Sequence, residues 1–167
     1  MTLVDIDARP ALEHLLDIRI GFHPAQIIPT PVGIRMSYAI REGRFAGPDI
    51  SGAVLPGGGD SVLLGTDQVA RLDVRATLRT DDGALIHLTN TGRIHMSPEA
   101  MQRFSSGELI RHHECYGRSS PLFDTDDERV PVAHRAAHGG DQRGVAVRGA
   151  LPRLRRALTN IGACLQR

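Results

Sequence analysis

The chain alternates. Leu16, Ile18, Ile20 and Phe22 are interleaved with Asp17, Arg19 and Gly21, and Ile34, Met36, Tyr38 and Ile40 with Arg35, Ser37, Ala39 and Arg41. A period of two marks a strand with one buried face. Each run therefore predicts a half-buried strand, the second closed by a turn at Glu42-Gly43. Further strands are expected from Ile50 to Leu55 and from Ser61 to Gly65, with Pro56-Gly57-Gly58-Gly59-Asp60 between them.

The longest alternating unit runs from Val69 to Asn90. Ala70, Leu72, Val74, Ala76 and Leu78 make one face, and Arg71, Asp73, Arg75, Thr77 and Arg79 the other. Asp81-Asp82-Gly83 reads as the turn. A two-residue loop at Asp82-Gly83 would set apolar Leu78 opposite polar His87. A three-residue loop sets Leu78 opposite Ile86 and Ala76 opposite Leu88, with Gly83 in the left-handed position of a bulge. Register follows the buried face, so the longer loop is expected. It puts Thr77 opposite His87, Arg75 opposite Thr89 and Asp73 opposite Thr91.

One helix interrupts the strands. Ser97 is an N-cap, Pro98 fits the first helical position and Glu99 suits the positive end of the dipole. Met101 and Phe104 would face inward, Gly107 would end the helix, and Leu109 to Arg118 reads as another strand. Short apolar runs and recurring turn signals indicate an all-β chain, a sandwich or barrel.

Composition narrows the setting. Hydrophobic residues are 41% and charged residues 23%, as in a globular protein. No apolar run approaches the roughly 20 residues of a membrane span, and MTLVDIDARP lacks the basic start and apolar core of a signal peptide. Two cysteines, Cys115 and Cys164, make no disulfide scaffold. A cytoplasmic protein without a membrane partner is expected. A net charge of +1 argues against nucleic acid as a partner.

That net charge hides a split. All 20 basic residues are Arg; residues 1–129 carry a net −5 and residues 130–167 a net +6. The sign change predicts a body over 1–129 and a basic, atypical tail over 130–167, irregular or partly helical, with Leu154, Leu158, Ile161 and Leu165 spaced for a short helix over 151–165.

Candidate chemistry gathers on the polar face of the long hairpin. Arg75 can grip a carbonyl or carboxylate oxygen with two parallel hydrogen bonds. Asp73, paired with it, is expected to stay ionised, and His87 can exchange a proton near neutrality. In a closed barrel this face would line the cavity; on a one-sided sheet it would be an ordinary solvated face. The glycine turn would aim Asp60 at the cavity mouth. It lacks the GxxxxGK[ST] pattern of a nucleotide loop. His112-His113-Glu114-Cys115 alternates across a strand and has no second ligand pair at finger spacing, so no metal is expected, and no cofactor. Ser119-Ser120 lacks a GxSxG elbow. Asp60, Asp73 and His87 are the catalytic candidates. Arg35, Tyr38, Asp60, Asp73, Arg75 and Arg118 are the ligand-binding candidates.

Several segments carry a resemblance. They are Gly43-Arg44-Phe45-Ala46-Gly47-Pro48; Gly52-Ala53-Val54-Leu55-Pro56-Gly57-Gly58-Gly59-Asp60; Leu72-Asp73-Val74-Arg75 with Thr80-Asp81-Asp82-Gly83-Ala84-Leu85-Ile86; and Tyr116-Gly117-Arg118 running to Pro121 and Phe123-Asp124-Thr125. In this order, over roughly residues 12–129, they resemble a bacterial family known as domain of unknown function 3237, of the UPF0311 type. The resemblance implies a small antiparallel β-barrel, lipocalin-like in outline, with Asp60, Asp73, Arg75 and Arg118 at its cavity. It implies no activity. The chain departs from the family pattern at Ser61 and Gly117, where aromatics are common, and after Arg129. There the family continues with Tyr-x-Trp-Leu-Asn and a closing strand pair. A one-base shift in one choice of codons for Val130 to His138 restores Tyr-Pro-Trp-Leu, which makes the tail readable as a frameshift product.

Three functions fit these features. The first is a barrel binding a small apolar or aromatic molecule with a carbonyl or carboxylate. The second is an isomerase- or cyclase-type enzyme transferring protons through Asp and His in that cavity. The third is a homodimeric interaction module using apolar outer faces.

Overall fold

The structure, a computed structural model, describes residues 12–130 apart from 107, 109 and 112, and residues 144–150. Among these, nine strands form one sheet: β1 Leu12–Phe22, β2 Gln26–Thr30, β3 Gly33–Ala46, β4 Ser51–Val54, β5 Gly59–Gly65, β6 Val69–Thr80, β7 Leu85–Met96, β8 Cys115–Asp124 and β9 Gly144–Ala150. One helix, α1 Pro98–Ser105, lies between β7 and β8. The hydrogen-bonded path is β8-β7-β6-β4-β3-β1-β9, with β2 paired to β3 and β5 bridging β3 and β6. Every pairing is antiparallel except β1 with β9. The all-β architecture expected from the alternation is the one that forms.

β3 organises the sheet. Its first half pairs with β2 and β5, its second half with β1 and β4. Gly21 of β1 faces Glu42, but the next residue, Phe22, faces Ile40. Arg41 is therefore an extra residue, a bulge that bends the strand. Glu42-Gly43, expected as a turn, lies within β3 for this reason. A bent strand serves two sets of neighbours where a turn would end it.

The β6–β7 hairpin adopts the register derived from its buried face. Leu78 faces Ile86, Ala76 faces Leu88 and Thr77 faces His87. Gly83 has φ +95°, as the three-residue loop requires. Buried Thr80 ties the turn: its hydroxyl accepts from the Ala84 N–H at 2.8 Å, and its own N–H donates to the Ala84 carbonyl at 2.9 Å.

The apolar faces meet in the interior. Leu16, Ile40, Phe45, Leu78, Ile86, Leu88 and Phe123 are almost wholly buried in one cluster. Ile34, Met36, Tyr38, Val62 and Leu64 form a second, and Phe22 packs against both. α1 closes the second. The Ser97 hydroxyl accepts from the Ala100 N–H at 3.2 Å, and Met101 and Phe104 turn inward against both that cluster and Met96, Ala100 and Ile110.

β8 starts six residues later than Leu109, where the sequence pattern places it. Ile110 is drawn into the core beside Met96 and Ala100. Glu114 folds back to accept from the Arg111 N–H at 2.9 Å and from Arg103 at 2.6 Å. These contacts hold the segment out of the sheet until Cys115. Val130 is buried in the first cluster, so the core extends one residue into the segment read as tail. Gly144–Ala150 lies parallel to β1 as a strand, where the sequence pattern predicts irregular chain or helix. Val145 and Val147 alternate there, and β-branched residues favour strands. Residues 131–143 and 151–167, with the expected 151–165 helix, lie outside the described residues, as does Gly107.

Candidate functional site

β6 and β7 sort their side chains by parity. Val74, Ala76 and Leu78 turn inward and are at most 7% exposed. Asp73, Arg75 and His87 are therefore carried to the opposite face, where all three are exposed. The Arg75–Asp73 ion pair expected from the spacing is present, with each side chain about half exposed, 50% and 51%. His87 has its Nε2 3.4 Å from the Thr89 hydroxyl. Arg35 and Arg118 are exposed as well. The expectation that this face lines a cavity is thus corrected. The inner side is lined by the apolar side chains of the same strands, and a residue cannot face both ways. The structure joins Asp73 to Arg75, but it does not bring His87 to Asp60.

A different polar group looks inward. Tyr38 on β3 faces Asp60 on β5, Asp60 faces Val74 on β6, and Val74 faces Asn90 on β7. One cross-strand row on the inner side thus carries a phenol, a carboxylate and an amide, with Val74 between the last two.

Local sequence explains how Asp60 gets there. The approach to β5 uses Gly57 and Gly58 with φ of +97° and +70°. At Gly58 a Cβ would run into the Arg75 carbonyl oxygen, so only glycine lets this segment lie against β6. The β5–β6 ladder then pairs Asp60 with Val74 and resumes at Leu63 with Arg71. In the gap the Asp60 carboxylate accepts the Asp73 N–H at 3.1 Å. A side chain replaces a backbone acceptor and is held at the inner wall.

Burial raises the Asp60 carboxyl from its ordinary 3.8 to about 6; the Asp73 N–H works against that rise and the Asp73 charge adds to it. Tyr38 is 8% exposed, and burial first, then the nearby Asp60 charge, lifts its phenol to about 12. Its ring packs on Phe22, centroids 5.7 Å apart. Its hydroxyl donates to the Met36 sulfur at 3.4 Å, a weak acceptor. Asn90 Oδ1 is buried without a hydrogen-bond partner among the described residues, a costly condition unless something supplies a donor.

Tyr38 and Asp60 are among the sequence-derived candidates; Asn90 is not. Its signal lies in the pattern all the same. Ile86, Leu88 and Asn90 share one parity of β7, and a polar residue on the buried parity is the informative exception.

The sequence profile of the family described as Protein of unknown function (DUF3237) matches residues 10–146. A UPF0311 protein from Clostridium acetobutylicum is 36% identical over 94 residues, 56% of this chain and 60% of that protein. The chain spans about three fifths of the length of the curated relatives it matches. A solved structure of a protein with unknown function from Clostridium acetobutylicum superposes with a TM-score of 0.64 at 30% identity, covering 74% of this chain and 84% of that one. A beta-barrel like protein from Acinetobacter baumannii superposes with a TM-score of 0.55 at 22% identity over 78% and 86% of the two chains, a likeness of fold alone.

Proposed function

Because the chain belongs to the DUF3237 family, whose description names no activity, we propose its function from the interior wall: it binds a small apolar or aromatic molecule inside the barrel. The ligand is anchored through a hydroxyl or similar donor at Asp60 and Asn90, in a cytoplasmic setting. One observation carries this reading. A partly buried carboxylate and a buried, unpartnered amide oxygen lie on one inner row of an otherwise apolar surface. Binding sites of this kind are mostly apolar with a few placed polar groups. The sequence pattern pointed to a carbonyl or carboxylate ligand gripped by Arg75. With Arg75 on the outer face, the groups left open on the inner row are the acceptors Asp60 and Asn90 Oδ1, and the complementary ligand is a donor.

Fluorescence titration with 2-naphthol, against naphthalene as the probe lacking a donor, tests it. Saturable binding of 2-naphthol is expected at pH 7.5. Asp60→Asn should weaken it about tenfold, since a charge-assisted hydrogen bond exceeds a neutral one by about 1–1.5 kcal/mol. Affinity should fall as pH drops through about 6, where Asp60 takes up its proton. Equal affinity in Asp60→Ala and Asn90→Leu would remove the proposal.

A second reading is proton transfer on the same site. A carboxylate with a pKa of about 6 is suited to act as a base near neutrality. Tyr38 stands beside it as the partner group, in the place the sequence pattern assigned to His87. Deuterium exchange at the α-carbon of 2-tetralone, followed by NMR, would show it. Exchange above buffer that disappears in Asp60→Asn supports catalysis, and exchange no faster than buffer ends it.

A further inference from the structure

β7 and β8 present a block of four side chains on the outer face. Arg93 faces Arg118, and His95 faces Tyr116. All four are exposed, Tyr116 at 56%. The Arg118 guanidinium lies 5.1 Å from the centre of the Tyr116 ring. Each arginine gives one N–H to the carbonyl of the residue before it, Gly92 at 2.9 Å and Gly117 at 2.7 Å. Neither has a carboxylate partner among the described residues. On β6, by contrast, Arg71 is paired with Asp67 and Arg75 with Asp73. Like charges directly opposite on neighbouring strands cost stability, and here no acid offsets the cost.

We propose that Arg93, Arg118, His95 and Tyr116 form a binding site for the phosphoryl group of a small ligand. Two guanidinium forks on adjacent strands, about 5 Å apart, can each give paired hydrogen bonds to a tetrahedral oxyanion. The imidazole and phenol add donors on the next outward row. An anion here removes the repulsion between the arginines. The site is small. The next arginine across the sheet, Arg71, faces Arg93 but is already neutralised by Asp67. This limit favours a single phosphoryl group over nucleic acid.

The test is thermal melting and NMR titration with sodium pyrophosphate, against sodium chloride of equal ionic strength. Pyrophosphate should bind saturably with a Kd on the order of 1 mM, the strength suited to an open, solvated site, and raise the melting temperature beyond the chloride control. Arg93→Gln and Arg118→Gln should each abolish that rise. In phosphate-free buffer both variants should melt at or above the unsubstituted protein, because removing one charge relieves the pair. Lower melting of the variants would mark the arginines as structural and overturn the site. A rise matched by chloride, or retained in either variant, would overturn it too. Tighter binding of a ten-nucleotide oligothymidine than of pyrophosphate would overturn the assignment to a small ligand. Binding of 2-naphthol inside the barrel is independent of every one of these outcomes.

Discussion

Asp60 is held at a cost to the fold. Its carboxyl has a pKa of about 6 in the folded protein against an ordinary 3.8, with burial the main cause. A group that binds its proton more tightly when folded is stabilising while protonated. Its contribution is complete below about pH 4 and is lost as pH rises through about 6. The loss amounts to about 2–3 kcal/mol. Asp60→Asn keeps an acceptor for the Asp73 N–H and removes the charge. It should therefore stabilise the protein by about 2 kcal/mol at pH 8 and have little effect at pH 4, measured by urea denaturation at both. An equal gain at the two pH values would show that buried charge is not the cause. A residue that lowers stability at neutral pH is a common companion of function. Tyr38→Phe removes a hydroxyl whose hydrogen-bond partner among the described residues is the Met36 sulfur. It should change stability by less than about 0.5 kcal/mol.

The long hairpin is specified by its turn. Gly83 has φ +95° with nothing within 4 Å of an added Cβ, so Gly83→Ala meets no clash and pays only for the left-handed backbone, about 1 kcal/mol. Thr80→Val leaves the Ala84 N–H without its 2.8 Å acceptor and should cost about 1–2 kcal/mol. Gly58→Ala is different in kind, because its Cβ meets the Arg75 carbonyl oxygen. The entry to β5 would have to move away from β6 and take Asp60 with it. Thermal melts should show a loss of about 3 kcal/mol, and the variant should also lose 2-naphthol binding, which Gly83→Ala should keep.

Among the described residues the sheet runs from β8 to β9, and β9 covers one edge of β1. A bare edge strand is a template for association. Ending the chain after Val130 removes β9 but keeps the buried Val130 side chain. The shortened protein should melt several degrees lower and scatter light increasingly with concentration. Unchanged melting would mean that the β1–β9 pairing contributes nothing to stability. The outer face carries the molecule's charge in a definite arrangement. Arg71 and Arg75 are balanced by acids, whereas Arg93 and Arg118 are not. A net charge of +1 conveys none of this, since a sum discards position.

Alternation of apolar and polar residues was enough for the long strands β3, β6 and β7, the hairpin register and the helix start, because each depends on neighbours in the chain. Leu78 meets Ile86 and Ser97 caps α1 for reasons readable within about ten residues. Asp60 and Tyr38 were likewise visible, one by its glycine turn and one by its strand. Which face of β6 and β7 would be inside was not decided locally. A strand shows two faces, and only the closing of β3, β5, β6 and β7 around shared apolar side chains put Val74 and Leu78 in the core and Asp73, Arg75 and His87 in water. The bulge at Arg41, the late start of β8 and the strand at Gly144–Ala150 have the same origin. Each answers to a partner distant in sequence, whose position exists only once the chain has folded.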